Sequence, residues 1–201
     1  QANWLNKRIE WHILGNHLFS NAKALIFVGL FFSSKQSEIW LKKGLKIMND
    51  ELKEQVLKDG GHFELSPMYH AIFLEDLLDL INIFQAYSKV IQNTQVNECI
   101  KVAKSMLNWL EVMTHPDGDI AFFNDAALEI APNLDELKKY AQRLQINNIN
   151  ENFNQITYLS DSGYVRYNSN HATALLDVAL IGPNYQPGHA HADTLSFELS
   201  L

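Results

Sequence analysis

Three short stretches of this chain hold most of the side chains that could do chemistry. The first is His189-Ala190-His191-Ala192-Asp193, which runs into Leu195, Phe197, Leu199 and Leu201 alternating with Ser196, Glu198 and Ser200. Alternation with a period of two reads as a strand, where residues i, i+2 and i+4 share a face. If that geometry reaches back, His189, His191 and Asp193 point one way, toward one metal ion or one wet cleft. The second stretch runs from Gly60-Gly61-His62-Phe63-Glu64 through Ser66-Pro67-Met68-Tyr69-His70. It gathers two histidines, a carboxylate and a phenol into a loop and the first turn of a helix, where functional groups concentrate. Tyr69 falls near the third helical position, at the positive end of the helix dipole. That location favours a phenolate, the form an acid–base tyrosine must pass through. The third stretch is Gly15-Asn16-His17 at a helix boundary, with Asn16 as a candidate N-cap and His17 as a partly buried polar residue.

Two further runs add carboxylates and aromatic surface. His115-Pro116-Asp117-Gly118-Asp119 breaks a helical pattern, and Asp117-Gly118 reads as a turn. Phe122-Phe123-Asn124-Asp125 can line a sugar-binding cleft, because aromatic rings stack on pyranose faces.

The elements that must position these groups change character along the chain. Helical periodicity predicts helices over residues 4–14 (ending at Gly15), 16–32, 38–58, 67 to the late eighties, 96–113 and 134–144. Ser66 as N-cap with Pro67 as first helical residue marks a clear start, and Asp59-Gly60-Gly61 a plausible stop. The polar, Asn-rich 147–155 stretch reads as a linker. Beyond Ile156 the period becomes two, predicting strands over 156–159, 164–167, 174–181 and 194–201 with turns at Asp161-Ser162-Gly163 and Gly182-Pro183-Asn184. Helices followed by strands imply segregated layers, an α+β organisation, instead of alternating βα units.

The chain has 201 residues, enough for one or two domains with a real core, and its 47% hydrophobic and 19% charged residues are ordinary for a globular protein. A net charge of −7 supplies no basic field for nucleic acid or an anionic membrane. An anionic substrate therefore needs a local pocket of donors. The longest apolar run, Ala24 to Phe32, is too short to span a bilayer. Cys99 is single and lies in a helical pattern, as a packed thiol does. The opening residues Gln1-Ala2-Asn3-Trp4 include neither an initiator Met nor a basic leader, so the chain reads as part of a longer protein.

In order along the chain, Gly15-Asn16-His17-Leu18, Asn21-Ala22-Lys23-Ala24-Leu25, Asp59-Gly60-Gly61-His62-Phe63-Glu64, Ser66-Pro67-Met68-Tyr69-His70, His115-Pro116-Asp117-Gly118, Ser162-Gly163-Tyr164 and Pro187-Gly188-His189-Ala190-His191-Ala192-Asp193 with Leu195-Ser196-Phe197-Glu198 resemble the heparinase II/III-like polysaccharide lyases. The resemblance spans nearly the whole chain. It implies an incomplete α/α toroid of antiparallel helices over residues 1–150 and the first strands of an antiparallel β-sandwich over 151–201. It implies β-elimination on a uronic-acid-containing polysaccharide, such as a heparan-type chain or alginate, in a periplasmic or secreted protein. Asn16 and His17 would neutralise the uronate carboxylate, and Tyr69 would protonate the departing O4 oxygen, serving also as base in a syn elimination. His189 would act as base or second neutraliser, and His62, Glu64, His70, Asn124 and Arg166 would bind substrate. His191 would be a zinc ligand, with an aspartate and a histidine from further downstream. The implied partner is an acidic polysaccharide, with neither nucleic acid nor membrane. Two other readings compete: a non-catalytic carbohydrate-binding or polysaccharide-assembly protein with the same toroid, and a helical-barrel glycoside hydrolase using Glu64, Asp117 or Asp119.

Overall fold

The computed structural model describes residues 1–147, 154–183, 185, 188 and 190–201. Most of the predicted linker, residues 148–153, lies outside the described residues, as does His189. Among the described residues the helices are α1 (Ala2–Lys7), α2 (Gly15–Phe31), α3 (Lys35–Gln55), α4 (Pro67–Ala86), α5 (Asn93–Val112) and α6 (Leu134–Arg143). The strands are β1 (Ile156–Leu159), β2 (Tyr164–Asn168), β3 (Thr173–Asp177) and β4 (Phe197–Ser200).

Side-chain partners give the directions of the helices. Phe19 stacks on Phe73, Ser20 bonds Asp76, and Lys23 bonds Asp76 and Asp79, so α2 and α4 run parallel. Asp79 and Asn82 meet Tyr140, and Gln85 meets the Leu144 carbonyl, which makes α6 parallel to α4. α3 runs the other way, since its Gly44 abuts Ala22 and Ile26 while its C-terminal Gln55 reaches the Gly15 carbonyl. Gln95 bonds Asn49 and Gly60 abuts Ser105, so α5 keeps the direction of α3. Two rows of opposite direction follow, one of α2, α4 and α6 and one of α3 and α5. This is the arc of an incomplete α/α toroid. Its core is continuous from Leu18 and Phe19 through Phe73, Leu77 and Phe84 to Met106 and Leu110. Each such buried side chain contributes about 1.5–3 kcal/mol through apolar area removed from water.

The strands form an antiparallel meander in the order β1-β2-β3-β4. Leu159, Tyr164 and Leu175 point to one face and pack on Trp109, Val112, Met113, Ala121 and Phe123. The opposite face carries Ile156, Tyr158, Tyr167, Phe197 and Leu199, all exposed and brought into line by the strand register. An apolar sheet face of this kind suits packing against a second sheet, as in a β-sandwich.

Several boundaries depart from the sequence reading, among them the third strand, expected over 174–181, which ends at Asp177, where the Ala179 N–H turns back to the Asp177 side chain. The first helix ends at Lys7, not Leu14. A longer helix would direct the Glu10 N–H to the Asn6 carbonyl, but Glu10 donates to Asn21 Oδ1 and Asn6 is taken by Lys43. Gly15 opens α2 instead of closing the preceding helix, after Leu14 turns the chain at a φ of 66°. α3 starts at Lys35, three residues earlier than expected, because Ser34 and Ser37 form a capping box, and it stops at Gln55. The last strand starts at Phe197, because Leu195 sits at a φ of 71° and its N–H bonds the Asp177 carbonyl. Residues 190–196 are therefore loop, and the pleat does not align His191 with Asp193.

Candidate functional site

Parallel α2 and α4 bring their N-termini to the same end of the helical layer. Asn16 and His17 occupy the second and third helical positions of α2, whose N-cap is Leu14 and has no side-chain cap bond. The capping role considered for Asn16 is thus vacant, and its amide is not spent on its own helix. Asn16 is half-buried, and its Oδ1 has no hydrogen-bond partner among the described residues. His17 is half-exposed, with Nδ1 3.5 Å from Glu10 Oε2. Asn21 holds that carboxylate through Nδ2 at 2.8 Å. This bond and the nearby imidazole keep Glu10 below the usual carboxylate range.

Tyr69 is the third residue of α4. Ser66 caps the helix as expected: its Oγ accepts the Tyr69 N–H at 3.4 Å and donates to the Asp125 carbonyl at 3.1 Å. The Tyr69 hydroxyl donates to Asp125 Oδ2 at 3.4 Å. Burial pushes this phenol above the ordinary tyrosine range, and the charges of Asp125 and Glu64 push it further. This runs against the phenolate expected from the helix end: burial and two carboxylates oppose a negative charge on Tyr69.

Asn124 connects the elements around Tyr69. It is buried at a φ of 55°, a left-handed conformation that Asn tolerates better than most residues. Its Nδ2 donates to the Leu65 carbonyl and to the Tyr164 hydroxyl, each at 3.1 Å. Its Oδ1 accepts the His191 N–H at 3.2 Å, and its own N–H donates to the Asp193 carboxylate. One residue thereby ties the loop before α4, strand β2 and the loop containing His191 together. Phe123 stacks on Tyr164 beneath it, whereas Phe122 is exposed. Nearby, a crevice of about 510 Å³ lies between Phe63 and Leu65 on the helical side and Tyr158, Gly163 and Tyr185 on the sheet side.

The residues expected to bind substrate lie inside the protein. His70 is fully buried, stacked on Trp109 at 4.4 Å, with Nε2 2.9 Å from the Met106 carbonyl and Nδ1 accepting the His62 N–H. These partners define a neutral ring protonated on Nε2, and burial lowers its pKa to about 3. His62 is also fully buried and bonds Gln55, which in turn bonds the Gly15 carbonyl. The two histidines thus carry a hydrogen-bonded chain from the start of α2 to α5. Glu64 is buried. Arg166 donates to the carbonyls of Val112 and Thr114 and to Asn168, so its charge sits at the C-terminal end of α5. Asn124, the fifth, serves as framework through its bonds to Leu65, Tyr164 and His191.

His191 is exposed on its loop. Among the described residues no group of three or more His, Cys, Asp or Glu side chains is placed to hold a metal ion. Of the implied ligand set the described residues supply His191, and no step is assigned to a metal ion. The carboxylates of the hydrolase reading do not gather either. Asp117 and Asp119 are exposed on the turn bridged by Thr114 and Ile120, while Glu64 is buried. Sequence reasoning missed Glu10 beside His17, and it read Asp125 only as part of a run that can line a sugar-binding cleft, not as the partner of Tyr69.

A family model described as Heparinase II/III N-terminus matches residues 1–155, and one described as Heparinase II/III-like, C-terminal, matches residues 154–201. The chain is 35% identical over 115 residues, 57% of its length, to a heparin-sulfate lyase of Bacteroides stercoris. It is 29% identical over 117 residues to a heparin-sulfate lyase of Pedobacter heparinus. Each match spans 17% of the relative's own length. Among solved structures, a heparinase III superposes with a TM-score of 0.79 at 19% identity, covering 98% of this chain and 35% of that one. A mutant heparan sulfate lyase of Pedobacter heparinus gives 0.72 at 22% identity, covering 98% and 32%. At these identities the structural likeness speaks for the fold.

Proposed function

The chain belongs to the heparinase II/III family, and from that premise we propose that it contributes the catalytic cleft of a polysaccharide lyase. The substrate is an acidic, uronic-acid-containing polysaccharide of the heparin and heparan sulfate class, in line with the names of the relatives. The observation that carries this reading is the common end of α2 and α4, with Asn16 and His17 on one helix start and the Tyr69 phenol on the other.

β-Elimination needs three services. The C5 proton is weakly acidic until hydrogen-bond donors neutralise the adjacent carboxylate, and charge accumulates there as the proton leaves. The Asn16 amide and the His17 imidazole are the donors. Both sit in the first turn of α2, where the positive helix end adds about 0.3–1 kcal/mol toward a developing anion. A base takes the C5 proton, a role assigned by family likeness to His189. As the C4–C5 double bond forms, the C4–O4 bond breaks and Tyr69 delivers its proton to O4. Exposed Phe122 is the surface on which a pyranose face stacks. None of the described helices is long and apolar enough to cross a membrane, and a periplasmic or secreted setting agrees with a polymeric substrate.

The test is ultraviolet absorbance of the full-length protein with heparan sulfate and other uronate polymers. Elimination leaves a double bond conjugated to the carboxylate, which absorbs; hydrolysis leaves none. Rising absorbance that Tyr69→Phe abolishes is the expected result. Chain shortening without new absorbance would transfer the protein to the hydrolases, and binding without cleavage would make it a carbohydrate-binding protein.

A further inference from the structure

We propose that Asp125 is the positioning residue of Tyr69, holding the phenol protonated and aimed so that it works as the acid of the elimination and not as its base. This rests on the lyase reading above.

The geometry comes from two directions. Asp125 Oδ2 accepts the Tyr69 hydroxyl at 3.4 Å, which leaves the phenolic proton on tyrosine and holds the phenol oxygen beside the carboxylate until a substrate oxygen takes the proton. The backbone of the same residue is fixed by Ser66, whose hydroxyl donates to the Asp125 carbonyl while capping the helix that starts with Tyr69. The cap therefore locks the donor and its acceptor to a single side chain. On the other side, Asn124 holds Asp125 to the framework through the Leu65 carbonyl and the Tyr164 hydroxyl. A carboxylate in a rigid seat beside a half-buried phenol does two things. It fixes the rotation of the hydroxyl, and its negative charge opposes formation of a second negative charge on the phenolate. Glu64 is the other charged group that acts on Tyr69 in the same sense. A tyrosine required to accept the C5 proton must first become phenolate, and both carboxylates oppose this. A tyrosine required to donate to O4 starts in the form they favour and becomes phenolate only as its proton neutralises the departing oxygen. The leaving oxygen takes the proton from Tyr69, and the C5 proton goes to a different group.

Asp125→Asn keeps the size and an acceptor oxygen but removes the charge, so it separates the two roles. The experiment compares wild type, Asp125→Asn, Asp125→Ala and Tyr69→Phe in the full-length protein. It records elimination on heparan sulfate against pH, and the ultraviolet titration of Tyr69 taken as the difference from Tyr69→Phe. Thermal melts restrict the comparison to folded variants. The expected result is a phenol midpoint about one unit lower in Asp125→Asn. The alkaline fall in kcat follows it downward, because the acid loses its proton at a lower pH. Asp125→Ala loses the aim as well, and kcat falls about 10- to 100-fold with KM little changed. Unchanged phenol titration and pH profile in Asp125→Asn, with Tyr69→Phe inactive, overturns this inference and leaves the lyase reading standing. So does a rise of kcat with pH whose midpoint follows that of the phenol, the sign of a tyrosine that must ionise before it acts as base. An active Tyr69→Phe overturns the assignment of Tyr69 on which the proposal rests.

Discussion

His70 makes the protein sensitive to acid by a calculable amount. An ordinary histidine titrates near 6.5, whereas His70 is held near 3 by complete burial between Trp109 and the Met106 carbonyl. Its folded pKa is depressed, so below pH 6.5 the unfolded chain binds a proton that the folded chain refuses. Stability from this group is full above about pH 6.5 and is lost as pH falls toward 3. The slope approaches about 1.4 kcal/mol per pH unit, and the loss reaches about 2 kcal/mol at pH 5. Other groups titrate in the same window with the opposite sign: burial raises Glu51, Glu75 and Asp177, which favours the folded state as they take up protons. The informative quantity is therefore a difference. His70→Gln keeps a donor for the Met106 carbonyl and an acceptor for the His62 N–H but does not titrate. Denaturant unfolding of wild type and His70→Gln at pH 7, 6 and 5 should show the gap between them narrowing by about 2 kcal/mol from pH 7 to pH 5. Two parallel lines would refute the argument, because a histidine already solvated, or protonated in the folded state, has no such linkage.

Two further predictions concern the framework of the cleft. Asn124→Ala removes bonds to Leu65, Tyr164 and His191 and leaves a Cβ residue at a φ of 55°. It should cost about 3 kcal/mol by denaturant unfolding, with Asn124→Gly about 1 kcal/mol less damaging because the backbone strain is gone; a glycine variant worse than alanine would contradict the strain argument. Asp59 Oδ2 accepts the Asp161 N–H, the Ser162 N–H and the Ser162 hydroxyl, which fastens the β1–β2 turn to the helical layer. Asp59→Ala should lower stability by about 2–4 kcal/mol and speed amide exchange at residues 161–163, and unaltered exchange there would show that the turn is held by other contacts.

Much of this protein is decided locally, and what is local can be read from the order of residues. Ser66-Pro67 starts α4 because a hydroxyl cap and a preset φ act within one turn. The change from helical to alternating periodicity separates the helical layer from the sheet, since each element must bury its own face. The motif string from Asn16 to Asp193 was enough to point to the family. Tertiary structure decided the rest, because it depended on partners distant in sequence. Asn21 draws Glu10 out of the first helix, and Leu195 meets Asp177 and shortens the last strand, so local periodicity was overruled. His62, His70 and Arg166 looked like ligand contacts beside a candidate acid, yet Gln55, Met106 and Val112 claim them from other helices. Tyr69 shows the division most clearly. Its place in the first turn of a helix was legible in the sequence, but whether it holds or loses its proton was set by Asp125, a residue that reaches it only when the chain folds.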